Sequence, residues 1–239
     1  MITVLRALAL GWSDLLRPRI LSLALTGIGL TILLFVAFQA GLFWLLRLFA
    51  PDSLTLPWLG TIQIGNALSW SSLALFPLMG FFLMAPVAAG FCGLFADRVA
   101  EAVEQTHYPS RRGQPLDFWD GLLESLAIVA AVLAVGILSL LLSPFLGPLA
   151  PVLFYGTNGW LLGREFFQMA ARWHLTDPFA TRMRQDYAGR VTAAGALVAV
   201  GLTVPLVNIA VPLLAAASFT HLFHLLSESG NRDRRYPPA

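Results

Sequence analysis

Four long stretches of the chain carry no Asp, Glu, Lys or Arg: residues 20–46, 53–96, 125–163 and 191–227. They cover 147 of 239 residues, so all 28 charged side chains sit on the other 92. A helix on the surface of a water-soluble protein needs charge on its outer face, and runs of this length leave none. The pattern predicts helices embedded in a bilayer and excludes a soluble globular enzyme, a disordered tail and a disulfide scaffold. About 20 apolar residues span a ~30 Å hydrocarbon core. Residues 20–46 suffice for one tilted crossing and contain no proline. Residues 53–96 exceed one span and hold Pro57, Pro77 and Pro86. Within them, 53–72 read as interfacial, with Trp58 and Trp70 at headgroup level, and 73–96 as a second crossing bent at its prolines.

The other two runs are broken near their centres. In the third, Ser143-Pro144-Phe145-Leu146-Gly147-Pro148 is a turn signal. It leaves arms of roughly 27 and 22 Å as helix. In the fourth, Pro205-Leu206-Val207-Asn208-Ile209-Ala210-Val211-Pro212 separates arms of roughly 21–22 Å each. These arms are short for a flat bilayer, so 191–227 reads as a re-entrant hairpin whose turn needs protein or water around it. The predicted fold is an all-α integral membrane protein of one domain. It has two long transmembrane helices (20–46 and 73–96) and two proline-turned helical hairpins (125–163 and 191–227), the last re-entrant.

Two crossings and two hairpins put residues 1–19, 97–124, 164–190 and 228–239 on one face. These segments hold 14 of the 15 arginines, with only Arg47 opposite. By the positive-inside rule that face is cytoplasmic. Residues 1–19 read as an interfacial helix, with Val4, Leu5, Leu8, Trp12, Leu15 and Leu16 as its apolar positions. Asp97, Glu101 and Glu104, at i, i+4 and i+7, form an acidic stripe expected on a solvated face. Residues 164–190 are amphipathic and interrupted at Asp177-Pro178, and 228–239 is a polar, frayed tail.

Composition adds less. Apolar residues make up 57% and charged residues 12%, about half the charge of an ordinary soluble domain. A net charge of +2 gives no nucleic-acid footprint, so no nucleic-acid partner is expected. Every basic residue is Arg, which stays charged under desolvation and forks onto tetrahedral oxyanions better than Lys. Cys92 is the single cysteine, so no internal disulfide forms. There is no G-x-S-x-G, no H-E-x-x-H and no glycine-rich phosphate loop, so neither an enzyme nor ATP hydrolysis is expected. No Gly-x-x-x-Gly stands out as a dimerisation face, although Gly136 and the Ala-rich stretches suit close packing.

Three stretches resemble the CysZ family of bacterial sulfate permeases. Ala85-Pro86 followed by Leu94-Phe95-Ala96-Asp97-Arg98-Val99-Ala100-Glu101 is similar to that family's AP…LA(D/E)(K/R)VE signature. The 205–212 turn matches its P-x-x-N-x-x-x-P pattern. Leu16-Arg17-Pro18-Arg19-Ile20 stands where the family has a G-L-R-R-type segment that meets sulfate, although here the glycine is missing and Pro18 separates the arginines. The resemblance implies an all-helical, oligomeric inner-membrane protein that passes sulfate inward for cysteine synthesis. Its partners would be sulfate, the bilayer and further copies of the chain, and it would need no cofactor.

The candidate sites keep two readings each. Leu16, Arg17, Pro18 and Arg19 at a helix start suit a sulfate cradle of free N–H groups and guanidinium forks, or arginines snorkelling at the headgroups. Asn158, Arg164, Glu165 and Gln168 suit an anion path or a helix-end ion network. Asp97 and Arg98 suit a structural ion pair or the inner mouth of a pore. Asn208 suits a turn bonded to its own backbone, or a turn that lines the path. His221-x-x-His224-x-x-x-Glu228 has helical metal-ligand spacing, but no partner cluster is evident and His107 and His174 stand alone, so interfacial histidines and no metal site are expected. Sulfate influx opposes the membrane potential, so a channel needs cytoplasmic sulfate kept low; a proton-coupled symporter and a non-transporting membrane scaffold are the alternatives.

Overall fold

The computed structural model describes residues 1–49, 54–56, 60–62, 70–73, 87, 94–113, 147–204 and 207–231. Their order is α1 (Ile2–Leu15), α2 (Pro18–Phe49), strands β1 (Leu54–Leu56) and β2 (Gly60–Ile62), α3 (Ala96–His107), a 3-10 turn (Gly147–Leu149), α4 (Ala150–Arg172), α5 (Asp177–Asp186), α6 (Ala188–Gly201) and α7 (Val207–Asn231). Among the described residues the fold is helical apart from one small antiparallel hairpin, which pairs Leu54 with Ile62, Thr55 with Thr61 and Leu56 with Gly60. It lies in the segment read as interfacial. Nearly all of the predicted crossing 73–96, the arm 125–142, Trp58 and the tail beyond residue 231 lie outside the described residues.

Helix α2 starts at Pro18, where a residue without an N–H costs the helix nothing, and spans roughly 48 Å. One narrow stripe of it is buried: Ile20, Ala24, Gly27, Thr31, Phe35 and Gln39, at steps of three and four. Only 28% of its most apolar window is covered by the rest of the chain. Leu25, Leu33, Phe38, Trp44 and Leu48 stand uncovered. Each such side chain left in water forgoes about 1.5–3 kcal/mol, so this flank belongs against hydrocarbon or another apolar surface. Gln39 donates from Nε2 to Ser72 Oγ at 3.2 Å, and Phe43 meets Trp70 edge-on at 5.8 Å, tying α2 to the turn at 70–73.

Helix α7 is the opposite case. It is the second helix long and apolar enough to cross a membrane, yet 83% of its apolar window is buried within the protein. Helices α1, α3, α4 and α6 all pack on it. Gly11 of α1 lies so close to Ser218 of α7 that a Cβ there would overlap it. One face of α1 therefore packs on the protein: Val4, Ala7, Gly11 and Asp14 are buried, while Ile2, Leu5, Trp12 and Leu16 remain exposed.

Two further expectations change. The Pro205–Pro212 octapeptide is not one turn. The chain turns through 202–204, α7 begins at Val207, and Pro212 lies inside it. Asn208 therefore sits in the first turn of α7, its backbone N–H bonded to Val204 O at 3.0 Å. The second arm lengthens to 25 residues, roughly 37 Å rather than 22 Å. Pro212 is the sixth residue of α7, past its first turn, so it has no N–H to give the Asn208 carbonyl. Gly159-x-x-x-Gly163 forms a close-packing face. Gly159 and Gly163 of α4 meet Gly195 of α6 so tightly that a side chain on any of the three would overlap the facing backbone. This is small-residue packing within one chain.

Candidate functional site

All four histidines of the chain converge on two buried carboxylates. Asp14, one turn after the close approach at Gly11, projects from the end of α1 toward α7. Its Oδ1 accepts from His107 Nε2 at 2.9 Å and its Oδ2 from His221 Nε2 at 2.8 Å. Arg17 Nε lies 2.6 Å from Oδ1. Glu104 of α3 forms the second centre. Its Oε1 accepts from His174 Nε2 at 2.6 Å and from His224 Nε2 at 3.1 Å, while the Gly113 N–H donates to Oε2 at 2.8 Å. Asp14, Glu104, His221 and His224 are each at most 3% exposed.

Helix geometry explains the pairing. His221 and His224 are three apart on α7, and Glu104 and His107 are three apart on α3, so each pair shares a face. Crossing the two faces sets His224 against Glu104 and His107 against His221. Tyr108 sits between the centres, stacked on His224 at 3.8 Å with its hydroxyl 2.9 Å from His221 Nδ1. His174, just past α4, stacks on Phe223 at 4.9 Å. The cluster thus joins residues from 1–19, 97–124 and 164–190 to the end of α7, where Arg111 also meets Glu228 at 3.4 Å.

The carboxylates are held ionised. Burial alone would raise the Glu104 pKa, but hydrogen bonds from His174, His224 and the Gly113 N–H outweigh it and bring the group down to about 2. Asp14 is lowered in the same way: burial acts upward, and the bonds from His221 and His107 prevail. An ionised carboxylate only accepts, so each facing Nε2 carries its proton. Burial, reinforced by Glu228, pushes the Tyr108 phenol up to about 12, and it stays a donor. In the neutral His221 ring, Nδ1 then accepts from Tyr108.

At the junction of α1 and α2, residues 16–19 are all exposed and Pro18 is the first residue of α2. Arg17 engages Asp14, and Arg19 donates from Nη1 to Gln105 Oε1 at 2.5 Å. Gln105 in turn donates to Glu101 at 2.7 Å.

A sequence profile of the family described as Sulfate transporter CysZ/Etoposide-induced protein 2.4 matches residues 7–212. The chain belongs to this family. It is also similar to a protein of Vibrio atlanticus (strain LGP32) named Sulfate transporter CysZ, with 28% identity over 193 residues, 70% of this chain and 72% of that relative.

Placed on this CysZ-family fold, the sequence-derived residues scatter. Asn158 is buried in α4 and donates to Phe154 O at 2.9 Å, back-bonding within its own helix. Arg164, two turns on, pairs with Glu165 at 3.4 Å and covers the Trp160 ring at 5.7 Å. Gln168 donates to Thr181 at 3.1 Å. Asp97 and Arg98 are exposed at the start of α3, with Arg98 over Phe95 at 5.6 Å. Asn158, Arg164, Asn208 and Arg17 do not meet at one point. The acidic stripe splits: Asp97 and Glu101 are exposed, but Glu104 is buried. His221 and His224 are buried within the protein, and His107 and His174 join them rather than standing alone. Their available signal was the matching i, i+3 spacing of Glu104 with His107 and of His221 with His224.

Proposed function

We propose that this chain is a sulfate permease of the bacterial inner membrane, admitting sulfate to the cytoplasm without ATP for assimilation into cysteine. The family match over residues 7–212 carries this reading, because it spans the first three uncharged runs, the start of the fourth and the arginine-bearing start of α2 together. Sulfate enters as a dianion against ~100 mV, negative inside, which opposes it by roughly 4.6 kcal/mol, or a factor of ~10³ in concentration. Passive influx then rests on consumption of sulfate inside.

The start of α2 supplies the anion-attracting chemistry. First-turn N–H groups lack partners within the helix, and the helix dipole is positive there. Arg17 and Arg19 each commit one nitrogen to the protein, leaving further N–H donors of each five-donor fork for an oxyanion. Their anchoring on Asp14 and Gln105 fixes the forks in place. The uncovered flank of α2 fits lipid and a second copy of the chain, so we read the permease as an oligomer with residues 1–19 and 97–113 on the cytoplasmic side. The chemistry described is that of a transporter rather than an enzyme.

The test is radioactive sulfate influx into liposomes holding the purified protein. Influx without ATP or a pH gradient is expected, reduced at least about tenfold in the double variant Arg17→Ala, Arg19→Ala, since each charge-assisted contact is worth about 1.5–3 kcal/mol. Unchanged influx removes the proposed site. Influx that requires a proton gradient replaces the channel with a symporter, and its absence in wild type favours a scaffold.

A further inference from the structure

We propose that Glu104, His174 and His224 form a binding site for one divalent transition-metal ion of the zinc class, clamping α3, the end of α4 and α7 together. Three side chains of zinc-binding types, one carboxylate and two imidazoles, converge from three separate elements, with all their ligand atoms within 4.8 Å of one another. Both imidazoles present Nε2 to the same oxygen, at 2.6 and 3.1 Å. A tetrahedral ion with bonds of about 2.0–2.2 Å sets neighbouring ligand atoms roughly 3.4 Å apart, so the triad opens by less than about 1 Å to admit it.

The surroundings are those of a supported site. The Gly113 N–H fixes the second carboxylate oxygen, and stacking on Phe223 and Tyr108 fixes the two rings. A cleft of about 100 Å³ opens beside Glu104, lined by Glu101, Gln105, Arg112, Gly113 and Trp173, and gives a route in from outside the bundle. Two neutral imidazoles and one carboxylate leave a fourth position for water, as in open zinc sites. Binding moves the proton of each ring from Nε2 to Nδ1, so the carboxylate and both lone pairs face the ion with no net proton release.

The Asp14 triad has the same residue types but is not assigned an ion. Arg17 Nε lies 2.6 Å from the oxygen that His107 also uses, placing a permanent positive charge where a cation would sit. This difference makes the proposal specific, and it does not depend on the sulfate reading.

Protein purified in detergent on a tag without histidine would be incubated with Zn²⁺, desalted, and assayed for zinc by mass spectrometry. One equivalent per chain is expected, with affinity lowered more than about 100-fold in His174→Ala, whose ring is partly exposed, and unchanged in His107→Ala. X-ray absorption of the wild-type zinc form, which needs no variant, should give two imidazole nitrogens and one or two oxygens near 2.0–2.2 Å. No retained zinc, zinc held equally by His174→Ala, or equal loss in His107→Ala overturns the assignment. So does an absorption spectrum without imidazole scattering.

Discussion

Asp14 and Glu104 are both buried carboxylates that each hold two imidazoles, yet they are neutralised differently. Asp14 adds a guanidinium, Arg17, whose side chain is about half exposed, and one of its imidazoles, His107, also reaches solvent. Glu104 adds a backbone N–H instead and has no guanidinium on it among the described residues. The Asp14 centre is therefore a hinge pin at the protein's edge, linking α7 to the α1–α2 junction. The Glu104 centre is an interior knot whose charge is balanced only by hydrogen bonds. An edge pair recovers water more readily when broken than an interior one does.

The largest expected consequence is in truncation. Glu104→Ala leaves the buried His224 and the mostly covered His174 beside a cavity with no acceptor, and should cost about 3–5 kcal/mol. Asp14→Ala should cost about 2 kcal/mol, because Arg17 and His107 turn to solvent while only His221 stays buried without its acceptor. Thermal unfolding of both variants in the same detergent ranks them. Equal losses, or a larger loss at Asp14, would erase the distinction between edge and interior.

That distinction was only partly legible in the sequence. The α2 crossing could be read directly, since 27 uncharged residues follow an Arg-Pro-Arg start and nothing in that reading depends on tertiary contacts. The break at Asp177-Pro178 was equally local, and α5 begins there. Pro212 misled because a second proline closely following Pro205 reads as the far end of one turn, whereas it lies inside α7, which is held helical by its packing in the core. The two carboxylate centres were illegible for a different reason. Residues 14, 107 and 221, and 104, 174 and 224, meet only because α1 and α3 cross α7. That crossing is set by glycine and alanine contacts such as Gly11 on Ser218, which leave no periodic hydrophobic signature.

Acid should sharpen the same comparison with a somewhat smaller effect. Glu104 is held at about 2 against an ordinary value of 4.5, so its contribution is fully present above pH 4.5 and lost as pH falls from 4.5 toward 2. That contribution is roughly 3 kcal/mol at 1.36 kcal/mol per unit. Asp14 is also depressed, but from 3.8, so its loss begins lower. Unfolding midpoints of wild type should therefore begin to fall near pH 4.5. Those of Glu104→Gln should stay flat until about pH 3.8. A parallel decline in the two proteins would mean that Glu104 carries no acid-labile stability.

The smallest effect concerns the residue between the centres. Tyr108 serves them by different means: its hydroxyl bonds His221 of the Asp14 centre, while its ring stacks on His224 of the Glu104 centre. Tyr108→Phe removes the first and keeps the second. Loss of one hydroxyl from a largely buried imidazole contact should cost about 1 kcal/mol. It should also free the His221 Nδ1, so the ring's two tautomers become unequal in a new sense: nothing then favours a lone pair at Nδ1 except the bond from Nε2 to Asp14. Nitrogen-15 spectra of histidine-labelled protein report this directly. A shift at His221 with His224 and His174 unmoved is the expected result. Equal shifts at all three would mean that the centres respond as one unit rather than as an edge and an interior.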